Sequence, residues 1–188
     1  DFYKIEDGEL VLLCKHNYSL YNSVGSDCRY GEGATRRVSN NCLYFISTEN
    51  KSSFIKKLSL DGSIEKLTSD NGSADCFDIC NEGIVFIGLR GSRLQEIYTL
   101  QNKKETQLSK FNEKIIETKN IIKPETLNFK NDGVTIEGFV LKPVNYDEKK
   151  SYPGILNIHG GPKTVYGEIF YHEMQYWANE GYFVFFCN

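Results

Sequence analysis

The stretch of this sequence best suited to chemistry is His159-Gly160-Gly161-Pro162. Consecutive glycines, having no Cβ, let backbone N–H groups approach a reacting centre and face the oxyanion that forms when a nucleophile attacks a carbonyl. A tight strand-to-helix turn would use the same two glycines without any chemistry. The candidate catalytic residues are therefore Gly161 and Gly160, with His159 beside them. Gly31-Glu32-Gly33 has part of a phosphate-loop pattern but lacks its third glycine and lysine, so it reads as a loop between sheets. Arg36, Arg37, Arg90 and Arg93 could bind a peptide carboxylate in a central cavity or sit in solvated loops. His172, next to Glu173, reads as an exposed or packed helix position.

Composition narrows the classes. The 188 residues carry 22 basic and 25 acidic side chains, a formal charge of −3, with no basic run longer than a pair, which argues against a nucleic-acid partner. The longest apolar stretch, residues 182–187, is far short of the roughly 20 residues that span a bilayer, so no membrane segment is expected. The N-terminus, Asp1-Phe2-Tyr3-Lys4, lacks an initiator Met and a signal-peptide pattern, and the chain reads as an interior piece of something longer. Cysteines at 14, 28, 42, 76, 80 and 187 form no C-x-x-C pair. Cys76 and Cys80 would stand about 13 Å apart on one strand face, too far for a bridge. Small buried hydrophobes in a reducing cytoplasm are the preferred reading, with no metal and no cofactor.

The elements that must position the glycines begin with a repeat. Leu43-Tyr44-Phe45-Ile46 returns as Ile84-Val85-Phe86-Ile87 after 41 positions, and Ile55 and Leu58 return as Ile97 and Leu100 after 42. Each copy reads as short strands joined by turns, over residues 42–47, 54–60 and 64–68, preceded by an inner strand near 34–39 and again near 74–80. A half-copy occupies the start, with Asp7-Gly8 as its turn, and the extra residues fall in a loop over 17–33. A four-stranded unit of about 41 residues is the pattern of a β-propeller blade, with a β-sandwich as the alternative.

The pattern changes after residue 110. Residues 112–118 suggest a short connecting helix, and 125–130, Asn131-Asp132-Gly133 and 134–141 suggest a hairpin. Residues 154–158 then suit a buried strand, Phe170, Met174, Trp177 and Ala178 share one helical face with Gly181 as the cap, and 183–187 suit a second buried strand. Strand, helix and strand in about 35 residues make a βαβ unit of a parallel sheet. The fold class is thus β-propeller blades over 1–118, followed over 119–188 by the opening part of an α/β-hydrolase domain, both incomplete.

The chain resembles the prolyl oligopeptidase family of serine peptidases, especially its acylaminoacyl-peptidase and dipeptidyl-peptidase-like branch. The resemblance rests on Asp132-Gly133-Val134-Thr135-Ile136-Glu137-Gly138-Phe139-Val140-Leu141-Lys142-Pro143, on Tyr152-Pro153-Gly154, on His159-Gly160-Gly161-Pro162 and on Glu180-Gly181-Tyr182. It implies a propeller restricting access to a Ser-Asp-His hydrolase that acts on short peptides, with the rest of the same protein as partner; a homo-oligomer is compatible with it. It also implies that the Gly161 N–H is the oxyanion donor. The sequence departs from the family in having no G-x-S-x-G, and its histidines at 16, 159 and 172 fall where the family has no catalytic histidine. The triad is therefore expected beyond Asn188. A propeller that binds peptides beside a degenerate hydrolase domain, and a scaffold using the propeller rim, remain as alternatives.

Overall fold

A computed structural model describes every residue except Pro162. Residues 1–14 form a hairpin of β1 (Phe2–Glu6) and β2 (Glu9–Cys14), turned at Asp7 and Gly8, both at positive φ as a two-residue hairpin turn requires. Two four-stranded antiparallel sheets follow. The first holds β3 (Arg36–Ser39), β4 (Cys42–Glu49), β5 (Ser52–Leu58) and β6 (Ile64–Lys66) in chain order. The second holds β7 (Ser73–Cys80), β8 (Gly83–Leu89), β9 (Glu96–Gln101) and β10 (Lys104–Gln107) in the same order.

The repeat predicts the register. Ile46 lies opposite Ile55 and Ile87 opposite Ile97, and Leu43 opposite Leu58 corresponds to Ile84 opposite Leu100. Phe45 and Phe86, equivalent in the repeat, are each 1% exposed. Ile46 and Ile55 from the first sheet and Phe77, Phe86, Tyr98 and Leu100 from the second share one apolar cluster, so the sheets bury their faces against each other as neighbouring blades do.

A one-turn helix, α1 (Glu113–Ile116), leads to a mixed sheet. Its strands are β11 (Glu125–Asn131), β12 (Val134–Leu141), β13 (Gly154–Asn157) and β14 (Phe183–Cys187), in the order β11-β12-β14-β13. β13 and β14 are parallel, as the strand-helix-strand pattern predicts, and β12 joins β14 antiparallel, a pairing no local pattern announces. The crossover is α2 (His172–Asn179), which lays Met174 and Ala178 on Phe139, Leu141, Val184 and Phe186. It stops at Gly181, φ +95°, where the Tyr182 N–H donates to Trp177 O and the Gly181 N–H to Ala178 O, a Schellman ending. The opposite face of the sheet stays open, with Leu156 64% exposed.

One expectation for α2 needs correction. Phe170 precedes the helix and packs with Val24, Leu89 and Ile169 in a separate cluster between the mixed sheet and the second blade. Among the described residues, no helix is long and apolar enough to cross a membrane.

Candidate functional site

The glycine loop leaves the C-terminal end of β13. Tyr166, 3% exposed, organises its base: its hydroxyl donates to Asn157 Oδ1 at 2.6 Å, and its ring meets His159 edge to face at 5.2 Å. The Tyr166 N–H donates to Asn188 Oδ1 at 2.6 Å while Asn188 Nδ2 donates back to Tyr166 O at 3.0 Å, tying the loop to the end of β14. Burial first, then nearby Tyr171, pushes the Tyr166 phenol up to about 12, so it stays a protonated donor at neutral pH. His159 Nδ1 lies 2.7 Å from Gly160 O.

The two glycines face open space. Among the described residues, a Cβ on Gly160 would meet nothing within 4 Å, and one on Gly161 only the Lys163 nitrogen at 3.9 Å. Neither glycine has a left-handed φ, so neither packing nor turn conformation requires glycine here. Beside Gly161 lies a cavity of about 460 Å³, bounded by Lys163 and Thr164 on one side and by Tyr21, Ser23 and Arg29 on the other. Pro162, the fourth residue of the motif, lies outside the described residues.

His159, Gly160 and Gly161 thus form one contiguous loop, and the arginines do not join it. Arg37 pairs with Asp78 at 2.8 Å, bridging equivalent inner strands of the two blades. Arg90 is not solvated: it is buried and holds Glu105 at 2.8 Å. Arg93 donates to Gln107 Oε1 at 2.8 Å. The six cysteines are free, and among the described residues no three His, Cys, Asp or Glu side chains are placed to hold a metal.

The sequence places a loop over 17–33 but gives no sign of what that loop holds. It crosses from the first blade to the segment after the glycines, and Val24 pairs with Val165 as a parallel bridge. Lys51 adds ion pairs to Glu137 at 3.0 Å and Glu168 at 2.6 Å, and Gln175 exchanges two hydrogen bonds with Ile122. These partners lie 53 to 117 positions apart, so no local signal could have found them.

Paired four-stranded antiparallel sheets are followed by a strand, glycine loop, helix and strand. No family model matches the chain. It is 29% identical over 194 residues to the uncharacterized peptidase YuxL of Bacillus subtilis (strain 168), covering 99% of this chain and 30% of that protein. It is 28% identical over 155 residues to dipeptidyl-peptidase 5 of Porphyromonas endodontalis, covering 78% and 22%. The solved Pyrococcus horikoshii acylaminoacyl peptidase matches with a TM-score of 0.73 and 28% identity over 82% of this chain and 24% of that one. A puromycin hydrolase structure, at 12% identity and TM-score 0.67, shares the fold over 99% of the chain. These relatives and structural neighbours are peptidases of the prolyl oligopeptidase family, whose N-terminal part is a propeller. The chain spans at most about a third of the length of each, 30% in the case of YuxL.

Proposed function

We propose that this chain is part of a serine-type peptidase of the prolyl oligopeptidase family that hydrolyses short peptides through an acyl-enzyme. In this reading residues 1–118 are C-terminal blades of the propeller and residues 119–188 open an α/β-hydrolase domain. The observation that carries it is the His159-Gly160-Gly161 loop, placed between parallel β13 and the crossover helix, with open space beside both glycines. A serine outside these residues attacks the scissile carbonyl while a histidine, also outside them, takes its proton, and the Gly161 N–H donates to the oxyanion of the tetrahedral intermediate. His159, packed on Tyr166, shapes the loop. Six free cysteines suit a reducing cytoplasm.

The test is labelling of the complete protein with a fluorophosphonate, together with cleavage of short peptide substrates. The expected result is one modified serine outside residues 1–188, with cleavage abolished in step. Peptide binding without labelling or cleavage would overturn the reading in favour of a non-catalytic binding protein.

A further inference from the structure

The segment between the glycine loop and α2 is held from the blade side. The Val165 N–H donates to Ser23 O at 2.9 Å and the Gly25 N–H to Val165 O at 2.8 Å, so residues 23–25 run beside it like an added strand. Ser26 Oγ donates to Phe170 O at 3.0 Å. Asp27 then closes the strap: its two carboxylate oxygens accept the His172 N–H at 2.6 Å and the Glu173 N–H at 2.8 Å. These are first-turn amides, which a helix cannot satisfy internally. Tyr171, at the cap position, makes no side-chain capping bond, so the acceptor comes from a residue 145 positions earlier. A carboxylate also suits the positive end of the helix dipole.

The strap is itself anchored. Asp75, on β7, accepts from Asn22 Nδ2 at 2.6 Å, Arg29 Nε at 3.0 Å, Ser73 Oγ at 2.8 Å and Gln95 Nε2 at 2.6 Å. Four donors from the strap and the second blade meet on one side chain that is 6% exposed. Gly167 is crowded against the first blade, where an added Cβ would fall 2.3 Å from Lys51 O. Residues 165–173 are thus held at both ends by the blade-anchored strap, in addition to the tie that Tyr166 makes to the mixed sheet through Asn157 and Asn188.

We propose that Asp27 is a positioning residue for the oxyanion donor, acting through the first turn of α2 and the segment that joins it to Gly161. The inference rests on the reading of Gly161 as that donor. An oxyanion donor works only when held about 2.7–3.1 Å from the developing charge. A displacement of about 1 Å from a remote change costs about 10²-fold in rate.

The test is steady-state kinetics of the complete protein on a short peptide substrate. Asp27→Ala should lower kcat about 10- to 100-fold, with KM within about threefold of wild type. Asp27→Asn, which keeps one acceptor, should fall between the two. In a Gly161→Val background, adding Asp27→Ala should change kcat by less than about twofold, because both changes disable one donor. A purely structural role would instead multiply the two losses. Amide exchange at His172 and Glu173 reports the cap itself and should rise in Asp27→Ala. Raised exchange with unchanged kcat, or losses that multiply, would overturn the positioning role alone. An unchanged kcat in Gly161→Val would remove the oxyanion reading, and the positioning role with it.

Discussion

Replacing Arg90 with Met should destabilise the chain by about 3 kcal/mol at neutral pH. Arg90 is 3% exposed. Its Nε and Nη2 hold the two oxygens of Glu105 at 2.8 and 3.2 Å, and Nη1 donates to Ser73 O at 3.0 Å. The guanidinium also covers the Phe86 ring, 4.9 Å from its centroid. Burial pushes the Glu105 carboxyl up, but the Arg90 hydrogen bonds and charge, with the Ser69 N–H, outweigh it and hold it below its ordinary value. Met fills the volume and strands the carboxylate with Ser69, whose N–H donates to it at 2.7 Å. Removing one partner of a buried pair costs about 3–5 kcal/mol, and the surviving Ser69 bond places this case at the lower end. Adding Glu105→Gln removes the stranded charge and should recover about 1 kcal/mol. A carboxyl held down in the folded state contributes stability above its ordinary value and loses it as pH falls through the folded one. The gap between wild type and Arg90→Met should therefore narrow as pH drops below about 4. Urea unfolding followed by far-UV circular dichroism measures all of this. A difference under about 1 kcal/mol at pH 7, or a gap that widens in acid, would refute the reasoning.

Gly167→Ala would set its Cβ 2.3 Å from Lys51 O and 3.1 Å from Val24 Cγ1. Backbone on one side cannot yield, so a loss of about 1–3 kcal/mol is expected, together with faster amide exchange at Gly25 and Val165; unchanged exchange there would contradict it. Burial first, then neighbouring Asp27, raises the Cys28 thiol to about 11. Iodoacetamide at pH 8 should therefore modify exposed Cys80 at least about tenfold faster than Cys28, as peptide mapping would show; equal rates would contradict it.

The blades were legible because their signals are local. Positive-φ turns at Asp7-Gly8 and Asn102-Lys103, and the alternation that places Phe45 and Phe86 inward, lie within a few residues of the strands they define. The start of α2 was not legible, since the side chain that caps it is Asp27 rather than any residue near Tyr171. Sequence left Arg90 between a cavity carboxylate-binder and a solvated loop residue for a related reason. Only the tertiary stacking of Phe86 on Tyr98, with Glu105 alongside, makes a dry site for a guanidinium. The glycine loop was legible as a motif, but the space beside Gly161 and the strap across residues 165–173 come from the packing of distant segments.

The central claim is that Gly161 donates to an oxyanion, and the direct measurement is the kinetics of Gly161→Val in the complete protein. An isolated Cβ finds room at this position, its nearest contact among the described residues being the Lys163 nitrogen at 3.9 Å, so the variant should fold. Val keeps the backbone N–H, but its branched side chain stands in the open space through which the oxyanion must reach that N–H; an oxyanion donor put out of reach lowers kcat about 10²- to 10³-fold, and KM for a short peptide should barely change. A folded Gly161→Val protein whose kcat/KM stays within about threefold of wild type would contradict the account and leave the loop as a turn without chemistry.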